Sequence, residues 1–215
     1  MQTNYGPNTL PYGTHRLIAE EITKNKKILD IGCNYGYLKN FLDQSNILYG
    51  IDKSHEYALK VLNNGYKNYL GVNLNNTRKL NRLFPSESFD ILVFADILEH
   101  LNFPKKVLKI LIKSLKTRGK VIISLPNVAH LSIRINLLLG RFNYTRCGIL
   151  DNTHMHLYTV STAKKLIESS GLKINKIKYS SNRFGGLIKL LPFFGSILGY
   201  NLIFVCVKNN EKNTN

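Results

Sequence analysis

The sequence predicts an open, doubly wound α/β fold in which strands and helices alternate along one domain. Four short apolar runs, rich in β-branched residues and bounded by turn residues, are typical of buried parallel strands, and they lie at 27–31, 47–51, 90–95 and 120–125. A glycine-bearing turn from Gly32 to Gly36 follows the first run, and Asp52 ends the second, twenty positions after Gly32. Glycines let a backbone approach a ligand, and an acid at this spacing accepts hydrogen bonds from ribose hydroxyls. The pattern indicates a site for an adenosine-containing cofactor.

The other elements follow from turn residues and helical spacing. A weaker strand is expected near 67–72, with further strands near 172–179 and 201–208; helices are expected at 36–44, 54–64, 104–116 and 160–170. Pro104 suits a helix start, and Gly171 suits a helix end. The 104–116 segment carries one apolar stripe opposite a lysine-rich face, made of Val107, Leu108, Leu111 and Leu115. This favours a helix that covers the sheet over a basic helix that binds a membrane or partner.

The glycine turn does not match a nicotinamide-dinucleotide fingerprint. That fingerprint places glycines at the first, third and sixth positions, so that a pyrophosphate can sit on the helix N-terminus. Here those positions hold Gly32, Asn34 and Tyr37. Asn34 tolerates a left-handed backbone, but Tyr37 would obstruct close packing of helix on strand. A ligand without a pyrophosphate is therefore expected.

Length and cysteine content favour one domain in a reducing compartment. The chain has 215 residues, of which 44% are hydrophobic, as is ordinary for a single globular domain. Residues 1–10 are polar and show no signal-peptide pattern. The cysteines are Cys33, Cys147 and Cys206, and this wide, odd-numbered spacing supports neither a disulfide framework nor a cysteine zinc site. A cytoplasmic location is expected.

The net charge of +17 leaves two interpretations open. Such a charge favours polyanionic surfaces such as RNA, acidic glycans or anionic lipid. Alternatively, a composition rich in Lys, Asn and Ile produces a solvated basic surface without a partner. The lysines are dispersed along the chain, which favours the second interpretation.

Three segments resemble the motifs of class I S-adenosylmethionine (SAM)-dependent methyltransferases, in the same order. They are Asp30–Gly36, Phe89–Leu101 and Gly119–Asn127, within a resemblance that runs from about residue 14 to residue 208. The resemblance implies SAM as cofactor, methyl transfer as activity, and a seven-stranded, mostly parallel Rossmann-like sheet whose last strand is antiparallel. It implies a methyltransferase domain over 1–208, with an acceptor-side insertion at about 127–160, an apolar connector at about 184–199 and a disordered tail at 209–215.

The resemblance also implies a set of cofactor-binding residues. Gly32, Asn34 and Gly36 belong to the turn, and Asp30 acts through the hydrogen bonds of that turn. Asp52 meets the ribose, as its spacing also indicates. The remaining members are Asn73, which stands where the family often has an adenine-binding Asp, and Asp96.

The segment after the fourth strand carries candidate catalytic groups. Glu99 and His100 follow Asp96 at the carboxyl end of this strand, where open sheets bind ligands. His100 suits a general base because imidazole titrates near neutrality. The alternatives are hydrogen bonding within the loop and a metal site. The set Asp96, Glu99 and His100 resembles the Glu-x-x-Glu-His metal site of some quinone and small-RNA methyltransferases, but lacks the second histidine of the RNA enzymes. Metal binding is the less favoured interpretation.

The stretches 138–145 and 148–159 resemble a subgroup of bacterial methyltransferases associated with glycosyltransferases and cell-surface polysaccharide synthesis. The shared patterns are Gly-Arg-Phe-x-Tyr-Thr and Thr-His-x-Arg-Phe-Phe-Thr, with His156 in place of the second pattern's arginine. The resemblance implies His154 as an acceptor-side base or orienting group, and Arg141, Tyr144 and His156 as substrate contacts. Structural packing of this segment is the competing interpretation.

The expected function is SAM-dependent O-methylation of a sugar, a glycan precursor or a related small metabolite. Quinone or lipid O-methylation is the alternative if the connector forms an apolar lid, and a SAM-binding partner subunit without independent catalysis is another. The nucleobase-methylating Asn-Pro-Pro-Tyr pattern is replaced by Ala95-Asp96-Ile97-Leu98, which disfavours nucleic acid as acceptor. The segment 187–207 is apolar, but Lys189, Pro192 and its glycines disfavour a transmembrane span. Peripheral contact with the inner face of the membrane stays open.

Overall fold

A central seven-stranded sheet organises the protein. The computed structural model describes residues 10–181 and 183–209. Its strands are β1 (Lys27–Ile31), β2 (Ile47–Asp52), β3 (Asn68–Gly71), β4 (Phe89–Ala95), β5 (Leu115–Pro126), β6 (Leu172–Tyr179) and β7 (Asn201–Lys208). They are ordered 3-2-1-4-5-7-6, and β7 is antiparallel to both of its neighbours. The predicted fold class, mostly parallel with an antiparallel last strand, is confirmed.

The centre of the sheet positions the site. Strand β1 pairs in parallel with β2 on one side and with β4 on the other. The chain order therefore reverses at β1, and ligands bind at such a switch point, beyond the carboxyl ends of the strands. The turn at Gly32, the carboxylate of Asp52 and the loop at Asp96 follow these three strand ends. The sheet therefore brings Gly32, Asp52 and Asp96 to one edge, although they span 65 positions of the sequence.

Helices cover both faces of the sheet. They are α1 (Thr14–Ala19), α2 (Ala58–Asn63), α3 (Thr77–Leu80), α4 (Pro104–Leu111), α5 (Leu131–Leu138), α6 (Val160–Glu168), α7 (Gly185–Leu190) and α8 (Gly195–Leu198). The core is divided by the sheet: on β1, Leu29 and Ile31 pack into one apolar cluster, whereas Ile28 packs into the other. This alternation follows from the two-residue repeat of a strand buried on both faces.

Two predicted helices are shorter than expected. The segment 36–44 forms only a 3-10 turn, Tyr37–Phe41, because Gly36 is left-handed and Leu42 is extended. The helix expected at 104–116 ends as α4 at Leu111, and a 3-10 turn leads into β5. Leu115, expected on the helical stripe, instead starts β5 and pairs with Phe89. Sheet pairing therefore overrides the helical periodicity there.

The expected insertion and connector both lie at the carboxyl edge of the sheet. The Asn127 side chain donates hydrogen bonds to the carbonyls of Ser196 (3.0 Å) and Gly199 (2.9 Å). Ser181 N–H donates to Tyr12 O (3.1 Å), which ties the connector to the segment before α1. Residues from three distant parts of the chain therefore surround this edge.

The expected disordered tail falls mainly outside the described residues. Asn209 N–H donates to Gly171 O (3.0 Å), and residues 210–215 lie beyond the part of the chain that the structure describes, as do residues 1–9. Within the described ranges, no helix has the length and apolar content needed to span a bilayer.

Candidate active site

The glycine turn requires a left-handed backbone at three positions. Gly32 has φ +76°, Asn34 has φ +48° and Gly36 has φ +78°. A Cβ atom at Gly32 would lie 2.5 Å from Ile97 Cγ1, closer than any van der Waals contact allows. Only glycine satisfies both the conformation and the space at position 32. The turn therefore packs its backbone directly against the loop after β4.

Asp52 holds this turn in place. Its Oδ2 accepts a hydrogen bond from Asn34 N–H (3.0 Å), and its Oδ1 accepts one from Lys53 N–H (2.6 Å). Gly32 N–H donates to Ile51 O (2.8 Å), so β2 supports the turn through its backbone as well. The side-chain oxygen of Asn34 is buried and has no hydrogen-bond partner in the structure. A buried acceptor of this kind calls for a donor from a bound ligand.

Asp30 lies beneath the turn. Its side chain is buried, and Tyr66 Oη donates to its Oδ2 at 2.5 Å. Burial raises the pKa of Asp30 to about 7, which the Tyr66 hydrogen bond opposes and the charge of Asp52 reinforces. The hydrogen bond of this carboxyl is with Tyr66, so its predicted action through the hydrogen bonds of the turn stays a prediction.

Asn73 and Asp96, the other two predicted cofactor residues, flank the same edge. Asn73 is exposed, and its Oδ1 accepts a hydrogen bond from Asn75 N–H (2.9 Å). Asp96 has a left-handed backbone with φ +50°. Its Oδ1 accepts hydrogen bonds from Ser124 Oγ and Asn201 Nδ2, both at 2.7 Å. Asp96 is therefore oriented by β5 and β7.

A carboxyl group and two imidazoles meet just beyond β4. Glu99 lies in the 3-10 turn Leu98–His100 and is fully buried, with neither carboxyl oxygen hydrogen-bonded. Its Oε1 lies 4.0 Å from Nε2 of His154. Burial, with a smaller contribution from the charge of Asp96, raises the pKa of Glu99 well above its ordinary value. The rings of His100 and His154 meet edge to face with centroids 4.7 Å apart.

Backbone carbonyls orient both imidazoles. His154 Nδ1 lies 3.0 Å from Ile149 O, and His100 Nδ1 lies 3.2 Å from Thr153 O. A carbonyl only accepts, so Nδ1 carries the proton of each neutral ring and Nε2 has a free lone pair. Burial lowers the pKa of His100, and the charge of His154 lowers it further. Both effects favour the neutral form of His100.

The segment around His154 is held on the β4 loop by its backbone. The carbonyl of Glu99 accepts hydrogen bonds from Met155 N–H (2.8 Å) and His156 N–H (3.2 Å). His156 Nε2 lies 3.0 Å from Leu101 O, so its ring is engaged with the same loop. These bonds bring the predicted catalytic residues Glu99, His100 and His154 into one cluster.

Comparison with known proteins agrees with this architecture. A family model described as a methyltransferase domain matches residues 6–177. The chain belongs to this family. A methyltransferase domain of this kind uses S-adenosylmethionine as its cofactor.

Curated relatives match only in part. A ubiquinone biosynthesis O-methyltransferase of Coxiella burnetii is 28% identical over 114 residues, which is 52% of this chain and 49% of the relative. The chain thus spans about half the length of the curated relatives it matches. The same name and identity recur in other strains of that organism.

Solved structures with low identity show the fold alone. A SAM-dependent methyltransferase from Thermotoga maritima, a possible histamine N-methyltransferase by its description, has a TM-score of 0.67 at 14% identity, covering 91% of this chain and 88% of that one. A chain from the complex between the Haloferax volcanii Trm112 methyltransferase activator and a methyltransferase has a TM-score of 0.64 at 12% identity, with coverage of 93% and 89%. A SAM-dependent methyltransferase from Aquifex aeolicus has a TM-score of 0.60 at 16% identity, with coverage of 90% and 88%.

The turn of this methyltransferase fits SAM. The unpartnered Asn34 oxygen suits a ligand donor, the absent side chain at Gly32 leaves the backbone open, and Asp52 stands at the end of β2. These residues would hold the adenosine and amino-acid parts of SAM. When bound, SAM supplies a methyl group already activated on a sulfonium.

Two predicted substrate residues, Arg141 and Tyr144, have their observed contacts within their own segment of the chain. Arg141 and Tyr144 are exposed in the loop after α5. The Arg141 backbone N–H donates to Asn136 O (2.8 Å), and the Tyr144 ring meets Phe142 edge to face. Within the described residues, neither side chain has a hydrogen bond, ion pair or ring contact with Glu99, His100 or His154, so their role in substrate binding stays a prediction. The metal set considered from the sequence also differs from the observed cluster, which contains His154 in place of Asp96.

His15 on α1 lies near Asp96, although no sequence motif predicts it as a site residue. Its Nδ1 is buried without a hydrogen-bond partner in the structure, and its ring stacks on Phe41 with centroids 5.7 Å apart. Burial lowers the pKa of His15, and the charge of Asp96 opposes this shift. Position 15 belongs to no motif, so only the closeness of α1 to the β4 loop identifies it.

Proposed function

We propose that this methyltransferase transfers the methyl group of SAM to a hydroxyl oxygen whose proton is removed at the Glu99–His154 pair. The observation that carries the proposal is the buried, unpartnered carboxyl of Glu99 beside an imidazole with a free Nε2. A hydroxyl is a weak nucleophile until it loses its proton, so it needs a base at this place.

The geometry supports a definite path for the proton. The acceptor hydroxyl donates to Nε2 of His154, and the proton moves there as the oxygen attacks the methyl group. When Glu99 is ionised, its carboxylate, 4.0 Å away, offsets the positive charge that His154 gains, so the single transferred proton rests on His154. The hydrogen bond from Nδ1 to Ile149 O keeps the ring oriented.

The proposed acceptor is a sugar, a glycan precursor or a related metabolite. The support is the resemblance of 138–159 to methyltransferases associated with polysaccharide synthesis, together with the position of His154 beside the β4 loop. A quinone or lipid hydroxyl is the second candidate. It is supported by apolar side chains exposed around the carboxyl edge and by the name of the Coxiella burnetii relatives.

These exposed side chains, here called the apolar rim, support peripheral contact with an anionic membrane. The rim consists of Leu137, Leu138, Leu139, Leu190, Leu191 and Phe193. No acidic residue occurs from 128 to 150 or from 169 to 209, whereas the first stretch carries Arg and the second carries both Arg and Lys. Apolar side chains framed by cations suit the interface of an anionic bilayer.

Sedimentation with vesicles tests the membrane contact. Leu138, 86% exposed on the rim, is changed to Glu, and Leu59, 75% exposed on α2, is changed to Glu as the matched control. Vesicles containing phosphatidylserine should bind the wild type and the Leu59 variant but not the Leu138 variant. Equal binding by both variants would contradict a membrane contact through the apolar rim. Binding that does not depend on phosphatidylserine would contradict the role proposed for the cations.

Transfer of labelled methyl from SAM into a fractionated bacterial extract tests the proposed activity. His154→Ala should lower turnover on the labelled acceptor by about 100-fold or more, while calorimetry shows unchanged SAM affinity. Label in a polar glycan or sugar fraction supports the first candidate, and label in a lipid fraction supports the second. An equal rate for the variant would make His154 a packing residue. SAM binding without any transfer would instead favour a partner subunit.

A further inference from the structure

We infer that Glu99, His100 and His154 form a binding site for one divalent transition-metal ion, such as Zn²⁺, Mn²⁺ or Co²⁺. Each residue offers a ligand atom, and the three atoms lie within 4.8 Å of one another. Two imidazoles and one carboxylate are a donor set that binds such ions, with coordination positions left open.

The carboxyl group of Glu99 provides the first independent support. Both of its oxygens are buried and without a hydrogen-bond partner in the structure. Within the described residues, its one ion-pair contact is His154 at 4.0 Å. A buried carboxyl left without partners is costly, and a bound cation removes that cost. The unsatisfied oxygens face the two histidines that would complete the site.

The orientation of the two histidines provides the second independent support for the metal site. Metal-binding histidines commonly donate their other ring N–H to a carbonyl, which fixes the ring and leaves one nitrogen for the ion. Both His100 and His154 have this arrangement, through Thr153 O and Ile149 O. Nε2 of His154 lies 4.0 Å from Glu99 Oε1, and one ring nitrogen of His100 lies within 4.8 Å of both groups.

The distances suit closure around an ion. Ligands at about 2.1 Å from a tetrahedral ion lie about 3.4 Å apart. The 4.0 Å between His154 Nε2 and Glu99 Oε1 therefore needs to shorten by less than 1 Å. The widest separation in the cluster, up to 4.8 Å, needs to shorten by at most about 1.4 Å, within reach of side-chain rotation. Asp96 is excluded as a further ligand through Oδ1, because Ser124 and Asn201 already donate to that oxygen.

A bound ion would change how the acceptor hydroxyl loses its proton. This step rests on the proposed function. With three protein ligands, an ion keeps positions for the acceptor oxygen, and it lowers the pKa of a bound hydroxyl. The site would then prepare the hydroxyl through the ion, with His154 as a ligand, and the proton would leave to solvent. Without an ion, His154 accepts the proton directly.

Cobalt titration tests the metal site without any methyl acceptor. The untagged chain, stripped with a chelator and exchanged into buffer, is titrated with Co²⁺ alone and followed by visible absorption. We expect one Co²⁺ per chain. Glu99→Gln and His154→Ala should weaken binding by at least about 100-fold, because even outer partners of a ligand change affinity by about 10–100-fold.

His156→Ala is the matched control, because this neighbouring imidazole points its Nε2 at Leu101 O and lies outside the cluster. It should bind Co²⁺ with unchanged affinity, and calorimetry with SAM should show that every variant is folded. If the wild type does not bind one Co²⁺ per chain, or if the His154 and His156 variants lose Co²⁺ affinity equally, the proposed metal site is overturned. Co²⁺ binding by a protein that methylates no hydroxyl would overturn the proposed function and leave the metal site standing.

Discussion

Replacing Asp30 with asparagine tests whether a buried carboxyl beneath the cofactor turn makes stability depend on pH. Asp30 is 2% exposed, and its partner Tyr66 donates a hydrogen bond at 2.5 Å. Asparagine keeps the shape and an acceptor for Tyr66 but has no charge to bury. Any difference in pH dependence between the two proteins therefore reports the ionisation of Asp30.

The size of the effect follows from the pKa. Burial raises the pKa of Asp30 from 3.8 to about 7. Between these values the unfolded chain is ionised while the native carboxyl is protonated, so stability falls as the pH rises. At about 1.4 kcal/mol per pH unit, the free energy of unfolding of the wild type falls by about 4 kcal/mol relative to the Asn variant. The loss is complete once the pH exceeds the folded pKa.

Urea unfolding of both proteins at several pH values between about 4 and 8 measures this difference directly. Tyr66→Phe is the accompanying variant: it removes the hydroxyl that favours the charged carboxylate, so the loss of stability should continue to higher pH. Parallel pH profiles for the wild type and Asp30→Asn would refute the reasoning, because they would show that Asp30 has the same pKa in both states.

Three further changes probe the turn and the cluster. Asp52→Ala should weaken SAM binding by about 1–3 kcal/mol, because it removes an acceptor that orients the turn, and unchanged affinity by calorimetry would exclude it from the site. Gly32→Ala should abolish SAM binding in equilibrium dialysis, because its Cβ would meet Ile97. Gly140 has a similar φ but open space around it, so Gly140→Ala should lower the free energy of unfolding only by the backbone strain, about 1–2 kcal/mol. Burial makes the native carboxyl of Glu99 resist ionisation, so the metal-free wild type should lose stability relative to Glu99→Gln as the pH rises above 4.5. A difference in thermal unfolding between the two proteins that does not change with pH would contradict this.

Local patterns in the chain were sufficient for the sheet and the cofactor turn. β1 was predicted at its observed bounds because a strand buried on both faces is a continuous apolar run between turn residues. Gly32 and Asp52 were recognisable because the turn and the end of β2 keep a nearly constant separation in such folds. The helix expected at 36–44 was wrong because its periodicity does not report that Leu42 is extended.

The cluster beyond β4 depended on the tertiary structure. Glu99 and His154 are 55 positions apart, and they meet because the Glu99 carbonyl binds the backbone of Met155 and His156. Backbone bonds of this kind leave no trace in residue identity, so the sequence could name candidates but not assemble them. The same holds for His15, whose nearness to Asp96 depends only on where α1 packs.

The sequence by itself thus determined the fold class, the family resemblance and the cofactor turn, because each depends on short-range patterns of burial and backbone freedom. The tertiary structure alone decided that Glu99, His100 and His154 form one cluster, and that Arg141 and Tyr144 are exposed. The physical reason is that catalysis and metal binding require atoms within a few ångströms, and only folding sets distances between residues so far apart in the chain.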